Sequence, residues 1–199
     1  MSQWSLEKEL KVLEGWQLSA FSVAVTERMF PNFALFSSLL EFGDRDQVRS
    51  ILDGIWSKLS NTGAKMNFEV QQINVEVNMP DLEEFDMYGA SPALDAMVAL
   101  YSTINCLLEP NRAEATNVGN LSLESVATFI EVTADADMSD EELLRCISNH
   151  DLMLQEESFQ EEVITRLSGM KNATAATISD LKRLAANDGV SNIGVSDEQ

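Results

Sequence analysis

An all-α fold is predicted from three observations. Apolar residues recur at helical spacing along most of the chain, capping side chains stand ahead of those stripes, and turn formers are scarce. Only 9 glycines and 4 prolines occur in 199 residues, too few for a many-stranded sandwich or barrel of this length. A hydrophobic share of 45% supplies a core, and no linker-like tract divides the chain, so residues 1–199 are expected to form a single domain. The expected architecture is a compact multihelical array of roughly eight to ten helices.

Leu6, Leu10 and Leu13 lie at i, i+4 and i+7 and mark a first helix that Gly15 stops. Phe21, Ala24, Val25 and Met29 carry a second helix up to Phe30, because Pro31 disfavours helical geometry at the residue before it. Phe33, Phe36, Leu39 and Leu40 form a third, with Gly43 as its stop. Asp44 or Asp46 then caps a helix with Val48, Ile51, Leu52, Ile55, Trp56 and Leu59 on one side, ending near Asn61 to Gly63.

Residues 67–79 read two ways. Ile73, Val75 and Val77 alternate with Asn74, Glu76 and Asn78 as in a half-buried strand. A lone strand would leave its backbone groups unpaired, however, so a helix is expected. Asp81 to Asp86 is an acidic loop, and Ser91 with Pro92 matches an N-cap and first-turn proline for a helix on Leu94, Met97, Val98, Tyr101, Ile104 and Leu108.

Another helix spans Ala113 to Val132 through Val118, Leu121, Val126, Phe129 and Ile130. Ser139 and Glu142 then form a capping box ahead of Leu143, Leu144 and Ile147. Two further helices carry Leu152, Phe159, Val163, Ile164 and Leu167, then Ile178, Leu181 and Leu184 before Gly189. Residues 190–199 are expected to be an irregular tail, with Ile193 and Val195 able to anchor it.

The charge excludes several partners. Asp and Glu number 33 against 13 Lys and Arg, a formal net charge of -20, which repels nucleic-acid phosphates and anionic lipid headgroups. Neither direct nucleic-acid binding nor a membrane partner is expected. Glu7, Lys8 and Glu9 fall where a secretory signal would place its apolar segment, and no uncharged apolar run reaches the roughly 18 residues of a spanning helix. Cys106 and Cys146 are read as reduced thiols, so the expected location is the cytoplasm.

Few catalytic constellations survive inspection. His150 is the only histidine, which removes two-histidine metal sites and the metalloprotease helix. Cys106 lies among Ile104, Leu107 and Leu108, and Cys146 beside Ile147, as buried apolar thiols do. The glycine loops that cradle nucleotide phosphates are absent. Gly189, Ser191 and Gly194 have the wrong spacing for a nucleophile elbow, and the segment reads as flexible. No cofactor is expected, and a non-enzyme is favoured.

Carboxylates remain. From Glu131 to Glu162 eleven acidic residues meet the single base Arg145. Asp135, Asp137 and Asp140 resemble part of a calcium loop but lack its glycine and later glutamate, so a solvated acidic face is expected. Asp81, Glu83, Glu84 and Asp86 precede Tyr88 and a helix start bearing Asp95. This is the most site-like stretch, where Asp86 and Asp95 have the chemistry to hold Mg²⁺ and the competing role is helix capping. Glu27 and Arg28 are adjacent within an apolar stripe and must face different sides. A buried Arg28 would need a carboxylate such as Asp53 or Asp95, and a structural polar network is the favoured reading.

The strings ERMFPNFALF (Glu27 to Phe36), FGD (Phe42 to Asp44), ILDGIW (Ile51 to Trp56), DMYGASPALDA (Asp86 to Ala96) and SNIGV (Ser191 to Val195) together resemble the YjaG-like family of uncharacterised bacterial proteins. The likeness runs from Leu13, Glu14 and Trp16 to the tail. It implies an all-α, single-domain cytosolic protein and supplies no activity or site residue.

Two functions follow as expectations. The leading one is a non-enzymatic interaction protein that offers an acidic helical surface, including Glu156, Glu157, Glu161 and Glu162, to a basic protein partner. In one version its carboxylates imitate nucleic-acid phosphates. The alternative is a Mg²⁺ or Mn²⁺ enzyme acting on a phosphorylated small molecule, with Asp86, Asp95 and Glu27 as ligands and Arg28 facing phosphate. Oligomeric state is left open.

Overall fold

A computed structural model describes residues 5–63 and 65–196. Among these the chain forms nine α-helices: α1 (Leu6–Glu9), α2 (Trp16–Leu40), α3 (Arg45–Leu59), α4 (Phe68–Glu76), α5 (Ala90–Leu108), α6 (Arg112–Thr133), α7 (Asp140–Asn149), α8 (Asp151–Ser168) and α9 (Ala175–Ala186). Turns of 3-10 helix follow α1 at Leu10–Val12 and α9 at Asn187–Gly189. The described residues contain no strand, only an isolated bridge between Val190 and Ser196. The all-α class expected from the sequence is the one observed.

The axis of the molecule is α2, whose 25 residues are apolar or small on nearly every face. Such a helix has to be surrounded, and α3, α5, α6, α8 and α9 all pack on it. This corrects the expected break at Pro31, because α2 runs through the proline without interruption. Proline removes one backbone donor and disfavours the preceding turn. Burial of Met29, Phe30, Phe33, Ala34 and Phe36 on both sides of it outweighs that local cost. The helix ends at Glu41 in the left-handed conformation, with Gly43 at φ +69° in the turn beyond.

Elsewhere local signals act as expected. Asp44 caps α3 by accepting from the Gln47 amide, and the six predicted apolar residues of that helix are buried. Asn67 caps α4. The apparent strand pattern dissolves there, because Val75 turns inward while Ile73 and Val77 are 60% and 67% exposed. Gly89 replaces Ser91 as the N-cap of α5, which starts at Ala90 and keeps Pro92 within its first turn. Ser139 and Glu142 form the capping box of α7.

Two apolar clusters result. The larger surrounds α2, and a smaller one gathers Val126, Ile130, Met153 and Ile193 between α6, α8 and the C-terminal segment. Residues 190–196 are non-helical, yet they are inserted into the body. Ser191, Asn192 and Ile193 are buried, so the flexible segment read from the sequence is a packed one up to Ser196.

Candidate functional site

Adjacent positions on a helix point about 100° apart, and Glu27 and Arg28 enter separate polar networks. Each is only 6% exposed. Arg49 of α3 donates to both Glu27 oxygens at 2.7 and 2.8 Å, and the Trp56 indole donates to Glu27 Oε2 at 2.8 Å. Arg49 also reaches Asp53 at 2.9 Å, and Asp53 accepts from Lys182 of α9 at 2.7 Å. Burial alone would lower the Arg49 pKa and raise that of Asp53. The surrounding opposite charges and hydrogen bonds outweigh burial and move them the other way, Arg49 up and Asp53 down.

Arg28 turns towards α8. Its Nε donates to Glu156 Oε2 at 2.8 Å, and its guanidinium lies 4.6 Å from the centre of the Phe159 ring. Glu156 is fully buried; its Oε1 accepts from Ser122 at 2.7 Å and Gln160 at 2.9 Å. Asn192 closes the network from the C-terminal segment. Its backbone amide donates to the Arg28 carbonyl at 3.3 Å, its Oδ1 accepts from Asn32 at 2.9 Å, and its Nδ2 donates to Ser122 Oγ at 3.0 Å. Two expectations are corrected here. The partner of Arg28 is Glu156, since Asp53 belongs to the Glu27 network, and Glu156 is a core residue unable to contribute to an acidic surface.

The remaining predicted residues sit at the start of α5. Asp86 is exposed in the preceding loop, whereas Tyr88 and Asp95 are half-buried. Burial chiefly pushes the Asp95 carboxyl up to about 6; the Ser125 hydroxyl opposes this and the Glu124 charge adds to it. No hydrogen bond of ordinary length joins Ser125 Oγ to another side chain, so its opposition is weak. Burial, followed by the Asp95 charge, pushes Tyr88 up to about 12, with its ring tilted against Phe129 at 6.1 Å.

Tyr88 and Asp95 therefore share one electrostatic environment, while Glu27 and Arg28 are committed to α3 and α8. No three His, Cys, Asp or Glu side chains converge as a metal site among the described residues, and both Glu27 oxygens are already engaged. Cys106 is buried, and His150 caps α8 by accepting the Leu152 amide at Nδ1, 3.2 Å away.

The acidic stretch forms a surface. α7 has no buried residue and touches the body mainly through half-buried Cys146 and Ile147 on the smaller cluster. Leu144 is 65% exposed, and Val132, Met138 and Leu154 are exposed with it. On the same stretch of chain Asp135, Asp137, Asp140, Asp151 and Glu161 are all exposed. Arg145 is bonded to Glu141, and Arg166 to Glu162.

A family described as "Protein of unknown function (DUF416)" matches residues 5–196. The chain belongs to DUF416. Relatives include the "Uncharacterized protein YjaG" of Escherichia coli (strain K12), 35% identical, and that of Salmonella typhimurium, 34% identical, each over the full length of both chains. An "Uncharacterized protein" of Haemophilus influenzae is 31% identical over 98% of each chain. The crystal structure of a DUF416 family protein from Shewanella baltica OS155 superposes with a TM-score of 0.88 at 32% identity, covering 98% of this chain and all of the other. The resemblance drawn from the sequence strings is thereby established.

In this DUF416 chain, periodicity and local motifs missed Arg49, Trp56, Glu156 and Asn192. Glu156 did carry a signal. It falls on the apolar stripe of α8, three residues after Met153 and three before Phe159, where a carboxylate demands a buried cation. Asn192 carried none, since a lone asparagine beyond the last helix reads as loop.

Proposed function

We propose that this protein is a cytosolic, non-enzymatic interaction protein whose acidic α7–α8 surface binds a basic amphipathic segment of a partner protein. The observation that carries this reading is α7 itself: an amphipathic helix with no buried residue, its Leu144 exposed within a field of carboxylates. Exposed apolar residues rimmed by charge of one sign suit a partner helix with an apolar stripe and basic flanks. Carboxylates steer the approach, and the apolar strip supplies close contact. No helix among the described residues is long and apolar enough to cross a membrane.

Fluorescence anisotropy with a labelled amphipathic Lys/Leu peptide tests the proposal. Binding should weaken about tenfold or more between low and physiological salt. It should also weaken in Leu144→Ser and in Glu161→Lys, both at exposed positions. Binding indifferent to salt and to both substitutions rejects the surface. A Lys-only peptide that binds as tightly as the amphipathic one rejects the apolar component.

A further inference from the structure

Arg28 makes an incomplete set of bonds for so buried a cation. Its Nε is held by Glu156, while its two terminal nitrogens receive no hydrogen-bond partner among the described residues. Neither terminal nitrogen is among the sealed polar atoms that lack a partner, so both reach open space. Arg28 lines an open groove of about 420 Å³ along the face of α8, bordered also by the end of α9.

We propose that this cleft binds a free amino acid as its zwitterion, the carboxylate on the open edge of the Arg28 guanidinium and the ammonium against one carboxylate of the rim, Asp151 or Glu162, which lie too far apart along α8 to share it. A guanidinium presents parallel N–H donors that match a carboxylate in two-pronged fashion. Here the group is pre-oriented, since Glu156 fixes one edge and the Phe159 ring lies against one face. Ser122 and Gln160 in turn fix Glu156, so the fork requires no reorganisation on binding.

The rim selects against a simple anion. Asp151 makes no hydrogen bond or ion pair through its side chain among the described residues, and Glu162 uses only Oε1 towards Arg166. Phosphate entering the cleft would meet these carboxylates and a net charge of -20. A zwitterion carries no net charge and places its positive end at the rim. Leu154, Phe159 and Leu184 give the cleft an apolar wall for the ligand's side chain. A buried arginine with an open edge, counter-charges at the mouth and an apolar wall are complementary to one ligand class.

Ligand-observed NMR with the standard set of proteinogenic L-amino acids, followed by calorimetry on the best binder, tests the site. The comparison probes are the amine lacking that ligand's carboxylate, the carboxylate lacking its amine, and inorganic phosphate. The amino acid should bind saturably, and each truncated probe at least about tenfold more weakly. Arg28→Lys keeps a positive charge beside Glu156 but loses the fork, and should weaken binding by a similar factor. Should that variant fail to fold, Ser158→Trp decides: Ser158 is an exposed residue of the cleft lining, and the bulky side chain should abolish binding without touching the network. Absence of amino-acid binding, equal binding of the carboxylate or phosphate probe, binding of peptides alone, or unchanged affinity in Ser158→Trp overturns the proposal.

Discussion

Glu27 and Arg28 are sequence neighbours that serve different halves of the molecule, one tying α2 to α3 and the other to α8. That at least one of them would lie inside was legible, because adjacent positions on a helix point to different sides. Their partners were not legible, since helical periodicity reports which face is buried and carries no information on what lies across from it. Asp95 gives the sharpest prediction at this scale. Its folded carboxyl titrates at about 6 against an ordinary 3.8, so between those values the folded state holds the proton more tightly than the unfolded chain. Stability from this group therefore falls as pH rises from about 4 to about 6 and is gone by 7. Asp95→Asn should add about 1 kcal/mol at pH 7, discounted from the full shift because the side chain is partly open to water. It should also flatten the pH dependence in urea unfolding. An unchanged profile would contradict the raised value.

The starts of α3 and α7 were legible, because Asp44 and the Ser139–Glu142 box are satisfied within three residues of themselves. Pro31 was misleading for the opposite reason: its effect on the chain is local, and the burial that overrides it comes from the five helices packed around α2. The strand-like alternation at 73–77 did not mislead, because a lone strand would leave its backbone groups unpaired, and the helix expected there is the one observed. Gly119 shows how closely these elements fit. A Cβ at this position of α6 would overlap Leu6 Cδ2, stand 2.9 Å from Gln160 Oε1 and 3.2 Å from Phe21 Cζ. Alanine usually gains about 1 kcal/mol over glycine inside a helix, whereas overpacking costs about 1–3 kcal/mol. Gly119→Ala should therefore destabilise the protein by about 1 kcal/mol in thermal unfolding, and a stabilised variant would show that α1 yields freely.

Across the whole molecule, the network of Arg28, Glu156, Ser122 and Asn192 joins α2, α6, α8 and the C-terminal segment in one unit. Glu156→Gln retains the shape but leaves the arginine without its counter-charge, a change that costs about 3–5 kcal/mol in buried pairs. If residues 1–199 fold as one unit, the variant should still unfold in a single urea transition with an unchanged slope and a lower midpoint. Two separated transitions would divide the chain. The central place of α2 has a further consequence, for synthesis. The ribosome releases this apolar helix early, while the surfaces that cover it, from α5 at Ala90 to Asn192, are still to be made. At about 5–20 residues per second that interval lasts roughly eight to thirty seconds, during which the nascent chain carries this apolar helix only partly covered and depends on chaperones or on its own negative charge to remain dispersed.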